Sequence, residues 1–402
     1  MARFDAIVVG SGISGASFAY EAARAGKRAL VVEKEARVGG CLHSHRTSAG
    51  YWFELAGHTC YNSYLGLADI VQGAGLRGKV LQRSRTHLRF LQGDSIVPGS
   101  NQWALLRLMN KAELLKSLPH AFTAKKDGQT VYSYYSQILG RGNYNRVFGP
   151  VLSAVPSQSA DSFPADMLFK VRKTRRKDFP RSFTVAGGLQ RIVEAALDQP
   201  QITTAAGQGA VRVERAGEGW AVVLADGTRH EADALALAVP PRTAAGLVRE
   251  TAPELAAQLA RIKEAQVETV GVVVATDKVA RIPISMFLVP LDDMFHSIVT
   301  RDSIPDQAWR SFSFHFKPGH SRDEKMRRIT EVLKVTPADL ETVVERTAVL
   351  PSPELGHEKI VAEIDRLTAG AKLCVTGNYF AGLSIEDCVV RSREQWARIA
   401  GA

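Results

Sequence analysis

Three glycines spaced as Gly10-x-Gly12-x-x-Gly15, directly after the apolar run Ile7-Val8-Val9, form a loop suited to holding phosphate. Gly10 permits a tight turn out of a strand, Gly12 lets the backbone approach a pyrophosphate, and Gly15 lets the following helix pack closely on the strand. Ile13 and Ser14 open that helix, whose free N–H groups and dipole favour negative charge. A second apolar run, Ala29-Leu30-Val31-Val32, ends at Glu33-Lys34, where the carboxylate of Glu33 can accept both hydroxyls of an adenosine ribose. This is the pattern of a βαβ dinucleotide site. The side chains suggest no other chemistry: there is no Ser/His/Asp set, and the ten histidines are scattered. His43 and His45 share one strand face and are read as loop structure rather than as metal ligands, so no metal is expected.

The next residues narrow the choice of dinucleotide. Glu33-x-x-x-Arg37-x-Gly39-Gly40 resembles the FAD-binding domain of amine-oxidase-type flavoproteins, in which the ribityl and pyrophosphate run back across this loop. A nicotinamide dehydrogenase has no need of the second glycine pair.

These residues need a scaffold that returns to the nucleotide fold more than once. We expect an α/β protein in which a Rossmann-type FAD-binding domain (1–75, 181–266 and 351–402) is interleaved with an α+β substrate domain (76–180, largely helical, and 267–350, β-rich). Strands are predicted at Arg85–Leu91, Val211–Val213, Trp220–Leu224 and Ala232–Val239, and helices at Trp103–Leu118, Tyr132–Leu139, Tyr144–Leu152, Gln190–Leu197, Ser321–Val335 and from Ile385 to the end. The Leu105, Leu106, Met109, Leu114 and Leu118 stripe is read as core, with a membrane-facing surface as the alternative.

Composition is that of a globular protein, 45% apolar and 23% charged, and no apolar run approaches the ~20 residues that span a bilayer. No signal peptide is expected, because the first apolar stretch is a strand. Cys41, Cys60, Cys374 and Cys388 have no C-x-x-C spacing and are read as free thiols of a reducing, cytoplasmic compartment. Part of the net charge of +10 is concentrated in Lys170-Val171-Arg172-Lys173-Thr174-Arg175-Arg176-Lys177. A solvated loop, peripheral contact with anionic lipid and attraction of an acidic substrate all suit that run; nucleic acid does not, because no recognition motif accompanies it.

Five blocks along nearly the whole chain resemble the protoporphyrinogen oxidase-like branch of the FAD-dependent amine oxidase superfamily. They are the glycine fingerprint with Arg37-x-Gly39-Gly40; Phe53-Glu54-Leu55-Ala56-Gly57-His58; Leu139-Gly140-Arg141-Gly142 through Leu152-Ser153; Phe183-x-x-x-Gly187-Gly188-Leu189; and, most specific, Gly377-Asn378-Tyr379-Phe380-Ala381-Gly382-Leu383-Ser384-Ile385-Glu386-Asp387-Cys388. The resemblance implies that Gly10, Gly12, Gly15 and Glu33 hold the ADP half of FAD. Arg37, Gly39 and Gly40 then approach its pyrophosphate and ribityl, Val213 or Val211 meets the adenine edge, and Gly377 and Asn378 lie near the ribityl phosphate. Residues Gly382 to Ile385, Ser384 included, present a helix N-terminus to the flavin. Arg89, followed by Pro98-Gly99-Ser100-Asn101, takes the position of an arginine that pairs with a substrate carboxylate, and Phe287 that of a ring beside the substrate. Tyr61 or His58 lines the flavin ring, neither being read as a base.

The activity implied is hydride transfer from a C–H adjacent to nitrogen to the N5 of non-covalent FAD, with reoxidation by dioxygen or another acceptor. Alternatives are a flavin amine oxidase or desaturase acting on a secondary metabolite, and a flavin-dependent isomerase of the sugar mutase type. Ala154-Val155-Pro156-Ser157-Gln158-Ser159 and Gly382-Leu383-Ser384 depart from the family pattern where pocket shape is set. The small-molecule substrate, carboxylated in this reading, therefore need not be a tetrapyrrole.

Overall fold

The computed structural model describes residues 3–99 and 102–401, so Ser100 and Asn101 lie outside the described residues. The first sheet gathers strands from three distant stretches of chain. Its order is Ile202–Ala206, Ala29–Glu33, Phe4–Val9, Arg229–Leu237, Gly219–Leu224 and Ala210–Ala216, with Leu373–Val375 also paired to Arg229–Leu237. The first four strands and Leu373–Val375 run parallel to their neighbours, and the meander Ala210–Leu237 is antiparallel. Side chains alternate along each parallel strand. Ala6, Val8, Ala29, Val31, Ala234 and Ala236 face the helices Ile13–Arg24, Gln190–Leu197 and Ile385–Ala400. Ile7, Val9, Leu30, Val32, Leu235 and Leu237 face Pro241–Val248, Pro253–Ala260 and His357–Thr368. Both faces are covered, which is why these strands read as unbroken apolar runs.

A second seven-stranded sheet has the order Leu340–Pro351, Glu264–Ala275, Trp309–Phe316, Phe295–Thr300, Ser285–Pro290, His87–Gln92 and Ser95–Ile96. The helix Arg322–Leu333 packs Ile329, Val332 and Leu333 against Val272, Phe312, Phe314 and their neighbours. The opposite face meets the nucleotide fold, where Tyr51, Phe53 and Leu55 pack on Val273. Gly271 makes that seat possible: a Cβ there would stand 2.4 Å from the Phe53 ring. A buried bidentate pair ties the sheet internally, with Arg310 donating to Asp302 at 3.0 and 2.6 Å.

The helical stretch departs from expectation. The stripe from Trp103 to Leu118 is broken into Gln102–Leu108 and Lys111–Ser117, because Asn110 caps the second helix by accepting from Ala112 and Glu113 N–H. Only part of the stripe is core. Met109 is buried, whereas Leu106, Leu115 and Leu118 are exposed.

Candidate functional site

Gly10 leaves the strand Phe4–Val9 at φ 100°, a conformation that glycine tolerates, and a Cβ there would press within 2.5 Å of the Ala238 carbonyl oxygen. A Cβ on Gly15 would lie 1.9 Å from the Gly10 oxygen, so any side chain would push the helix Ile13–Arg24 off the strand. Gly12 differs. Its nearest neighbour for an added Cβ is the Gly40 Cα at 3.9 Å, so the space over it is a cradle that a side chain would fill. Gly12 and Gly39 form a parallel bridge that brings the two glycine loops together. The helix that starts there has no side-chain cap and no acid in its first turn, which leaves its positive end free for an anion.

Glu33 is buried at the end of its strand. Its Oε2 accepts the backbone N–H and hydroxyl of Ser11, and its Oε1 accepts the Glu35 N–H at 2.9 Å. Lys34 is exposed beside it. Two guanidinium groups converge on the Gly40 carbonyl, Arg37 at 3.0 Å and Arg346 at 2.5 Å. Arg346 reaches there from the edge strand Leu340–Pro351 of the other sheet, and its buried Nη1 has no partner. Burial lowers its pKa from the usual arginine value. No local sequence pattern marks Arg346, because its partner is 306 residues away.

The C-terminal helix Ile385–Ala400 begins where expected, and its first turn is occupied from within. Ser384 accepts the Asp387 N–H at 3.1 Å, while Asp387 accepts the Ser384 hydroxyl at 2.7 Å. Part of the basic run is anchored here. Arg172 donates to Asp387 at 2.7 Å and to the Ser384 hydroxyl at 2.9 Å, and Lys170 donates to the Ala381 carbonyl. Arg176 is engaged by Asp178 and Asp69. Half of the run therefore works as a strap across the helix ends. Gly377 and Asn378 follow the strand Leu373–Val375, and a Cβ on Gly377 would strike the Tyr379 ring at 2.4 Å.

Between these loops lies a buried polar cluster on the strand Trp52–Glu54 and the turn after it. Glu54 accepts the Leu189 N–H at 2.8 Å and the Ser44 hydroxyl at 2.7 Å. Gly188, at φ 95°, makes room for this, since a Cβ there would overlap the Ser44 Oγ at 2.2 Å. Burial pushes the Glu54 carboxyl up to about 7 and pulls His58 down to about 3, with Arg83 adding to the latter. Gly57 joins the segments, because its Cβ position lies 3.2 Å from Leu42 and 3.8 Å from Ile385. Glu54, His58 and Arg83 line a cleft together with Trp52, Arg301 and Ser311.

Arg89 and Phe287 lie on adjacent parallel strands but point to opposite faces of the sheet, since Arg89 is registered against Leu288 and Phe287 against Leu88. Arg89 donates to the Gly99 carbonyl at 3.1 Å, and Phe287 packs beside Phe90 and Val289. Neither lines the cleft of Arg83 and Arg301. Val213 is buried in the apolar cluster with Trp220 and Val32, while Val211 is exposed. Tyr61 is partly exposed against Tyr64. Among the described residues, no group of three or more His, Cys, Asp or Glu is disposed to hold a metal ion, and no helix is long and apolar enough to cross a membrane.

Comparison with known proteins agrees with this geometry. Residues 8–71 match the NAD(P)-binding Rossmann-like domain family. A stretch of 54 residues is 44% identical to all-trans-retinol 13,14-reductase of Danio rerio, covering 13% of this chain and 9% of the reductase, so that likeness concerns a short segment of each. The fold is similar to that of a provisionally assigned protoporphyrinogen oxidase from Exiguobacterium sp. 255-15, with TM-score 0.78 and 17% identity over 99% of each chain. Reduced UDP-galactopyranose mutase is similar with TM-score 0.74 and 14% identity, covering 99% of this chain and 96% of that one. Cyclohexylamine oxidase from Brevibacterium oxydans IH-35A follows with TM-score 0.71 and 15% identity, covering 100% and 99%. Residues 8–71 thus match a NAD(P)-binding Rossmann-like domain, and over its full length the chain has a fold similar to that of these oxidase and mutase structures.

Proposed function

We propose that this protein is an FAD-dependent oxidoreductase that oxidises a small molecule at a C–H adjacent to nitrogen, with dioxygen or another acceptor completing the cycle. The observation that carries the reading is the Gly12–Gly39 bridge beneath an uncapped helix N-terminus, with Glu33 at the neighbouring strand end. The second glycine pair and the two arginines on Gly40 favour FAD over a nicotinamide dinucleotide. When bound, FAD supplies the hydride-accepting N5, and the chain supplies position and electrostatics.

Gly10, Gly12, Gly15, Ile13 and Ser14 receive the pyrophosphate. Arg37 and Arg346, with Gly39 and Gly40, add positive charge beside it. A carboxylate has about four acceptor positions, and three donors already reach Glu33. One ribose hydroxyl fits as the site stands, and a second is admitted when the Ser11 hydroxyl rotates away. Val213, Gly377, Asn378, Gly382, Ser384 and Ile385 complete the contacts, and Arg89 faces the substrate, while Phe287 lies on the other face of that sheet. FAD is held non-covalently in this reading: Cys60, Cys374 and Cys388 are buried thiols, burial pushes the last two up to about 12, and the exposed Cys41 lies in no pattern of a flavin linkage. A flavin absorbance spectrum of the purified protein tests the assignment. A sugar mutase shares the fold, so turnover of an amine with consumption of an electron acceptor separates the two activities.

We also propose peripheral contact with an anionic membrane from the cytoplasmic side. Trp103, Leu115 and Phe122 are 73%, 68% and 85% exposed on the short helices between 102 and 123, beside Arg107, Lys111 and Lys116. Exposed aromatic and aliphatic tips among cations suit a lipid surface.

A further inference from the structure

The cleft on Trp52, Glu54 and His58 is lined by two guanidinium groups that carry buried N–H groups without a hydrogen-bond partner among the described residues. Arg83 is 8% exposed. It donates Nη1 to the His58 carbonyl, and its buried Nη2 has no partner. The Arg301 guanidinium lies over the Tyr51 and Trp52 rings, 4.4 Å from each centroid, and its buried Nε and Nη1 make no hydrogen bond.

Two of the three surrounding acids are committed elsewhere, and the third does not reach hydrogen-bond distance. Glu54 is held by Ser44 and Leu189, and Asp302 by Arg310 and the Ser285 N–H. Asp306 accepts the Ala308 and Trp309 N–H groups through Oδ1, and its Oδ2 forms an ion pair with Arg301 Nη1 at 3.7 Å, too far for a hydrogen bond. A buried cation without a hydrogen-bonded counter-ion is costly, and a buried guanidinium normally finds one.

We propose that this cleft is an anion subsite that takes a carboxylate, paired with Arg83 and Arg301. The choice of carboxylate rests on shape. Planar carboxylate oxygens match the fork of a guanidinium, and the rings under Arg301 hold that fork in place. The site lies apart from Arg89 and extends beyond the flavin assignment, since nothing in it depends on which dinucleotide the glycine loops hold.

The test measures thermal unfolding of the full chain as purified, at constant ionic strength, with chloride replaced by acetate or formate; acetamide and inorganic phosphate serve as comparisons. The expected result is a saturable stabilisation by acetate and formate with a midpoint in the millimolar range, and none with acetamide. Arg301→Gln and Arg83→Gln should each weaken it at least tenfold. Arg301→Lys, which keeps the charge and loses the fork, should retain only part, and remains informative if Arg83→Gln fails to fold. Arg212→Gln, on an exposed strand of the other sheet, should respond as the unaltered protein does. Three results would overturn the proposal: no acetate effect beyond chloride, an acetate effect unchanged in the Arg301 variants, or stabilisation by phosphate in place of acetate. The flavin content of the same samples reports separately on the cofactor reading.

Discussion

Ser11 donates its backbone N–H and its hydroxyl to one oxygen of Glu33, at 2.9 and 2.6 Å. The glycine loop and the end of the second strand are thereby locked together. Glu33→Gln should keep the fold and weaken FAD binding by about tenfold, equivalent to ~1.4 kcal/mol. Gly12→Val should abolish binding, because the side chain fills the cradle beside Gly40. Equilibrium dialysis with FAD measures both, and full FAD retention by Gly12→Val would place the dinucleotide elsewhere.

Stability should fall in acid. His43 and His58 are pulled down to about 3 by burial and neighbouring arginines, and His296 and His315 to about 4 by burial. Each stays neutral in the fold and takes up a proton when unfolded. Their contribution is therefore complete above the unfolded value of 6.5 and is lost as pH falls through the folded values. Glu54 works the other way. Its carboxyl is raised to about 7, so its contribution is complete below 4.5 and is lost as pH rises through about 7. His45 and His357 are also lowered and Glu386 is also raised by burial, so six histidines against two glutamates give net destabilisation on acidification, each full proton difference counting ~1.4 kcal/mol per pH unit. Urea midpoints should drop from pH 7 to pH 5, less steeply in His315→Gln, and Glu54→Gln should remove part of the opposing trend. Midpoints that do not change with pH would contradict this.

Ser384→Ala removes a helix cap and one of the Arg172 acceptors. A loss of about 1 kcal/mol in urea unfolding is expected. An unchanged midpoint would show that the strap from the basic run holds the helix end without the cap.

Phe122→Ser with Trp103→Ser should abolish co-sedimentation with phosphatidylserine vesicles while leaving FAD content unchanged. Neutral phosphatidylcholine vesicles should bind the unaltered protein only weakly. Equal binding to both vesicle types would exclude the role of the cations beside the patch.

What was legible in the sequence is what local chemistry dictates. Gly10, Gly12, Gly15 and Glu33 lie within one βαβ unit, and the alternation of Ala6 and Val8 with Ile7 and Val9 follows from a sheet covered on both faces. Arg346, Arg83 and Arg301 were not legible. Arg346 reaches Gly40 across the joint between the sheets, and Arg83 and Arg301 meet only because strands far apart in sequence wall the same cleft. The basic run read as free surface charge because its partners Asp387 and Asp69 are distant in the chain. The stripe from Trp103 to Leu118 read as one helix because Asn110 was not recognised as a cap.

The most direct test of the central claim is the absorbance spectrum of the purified protein, followed by identification of the flavin that acid precipitation releases. The account predicts the bands of oxidised flavin, near-equimolar FAD in the supernatant and none on the pellet. A colourless protein that takes up no FAD and binds a nicotinamide dinucleotide at the Gly10–Gly15 loop would contradict it.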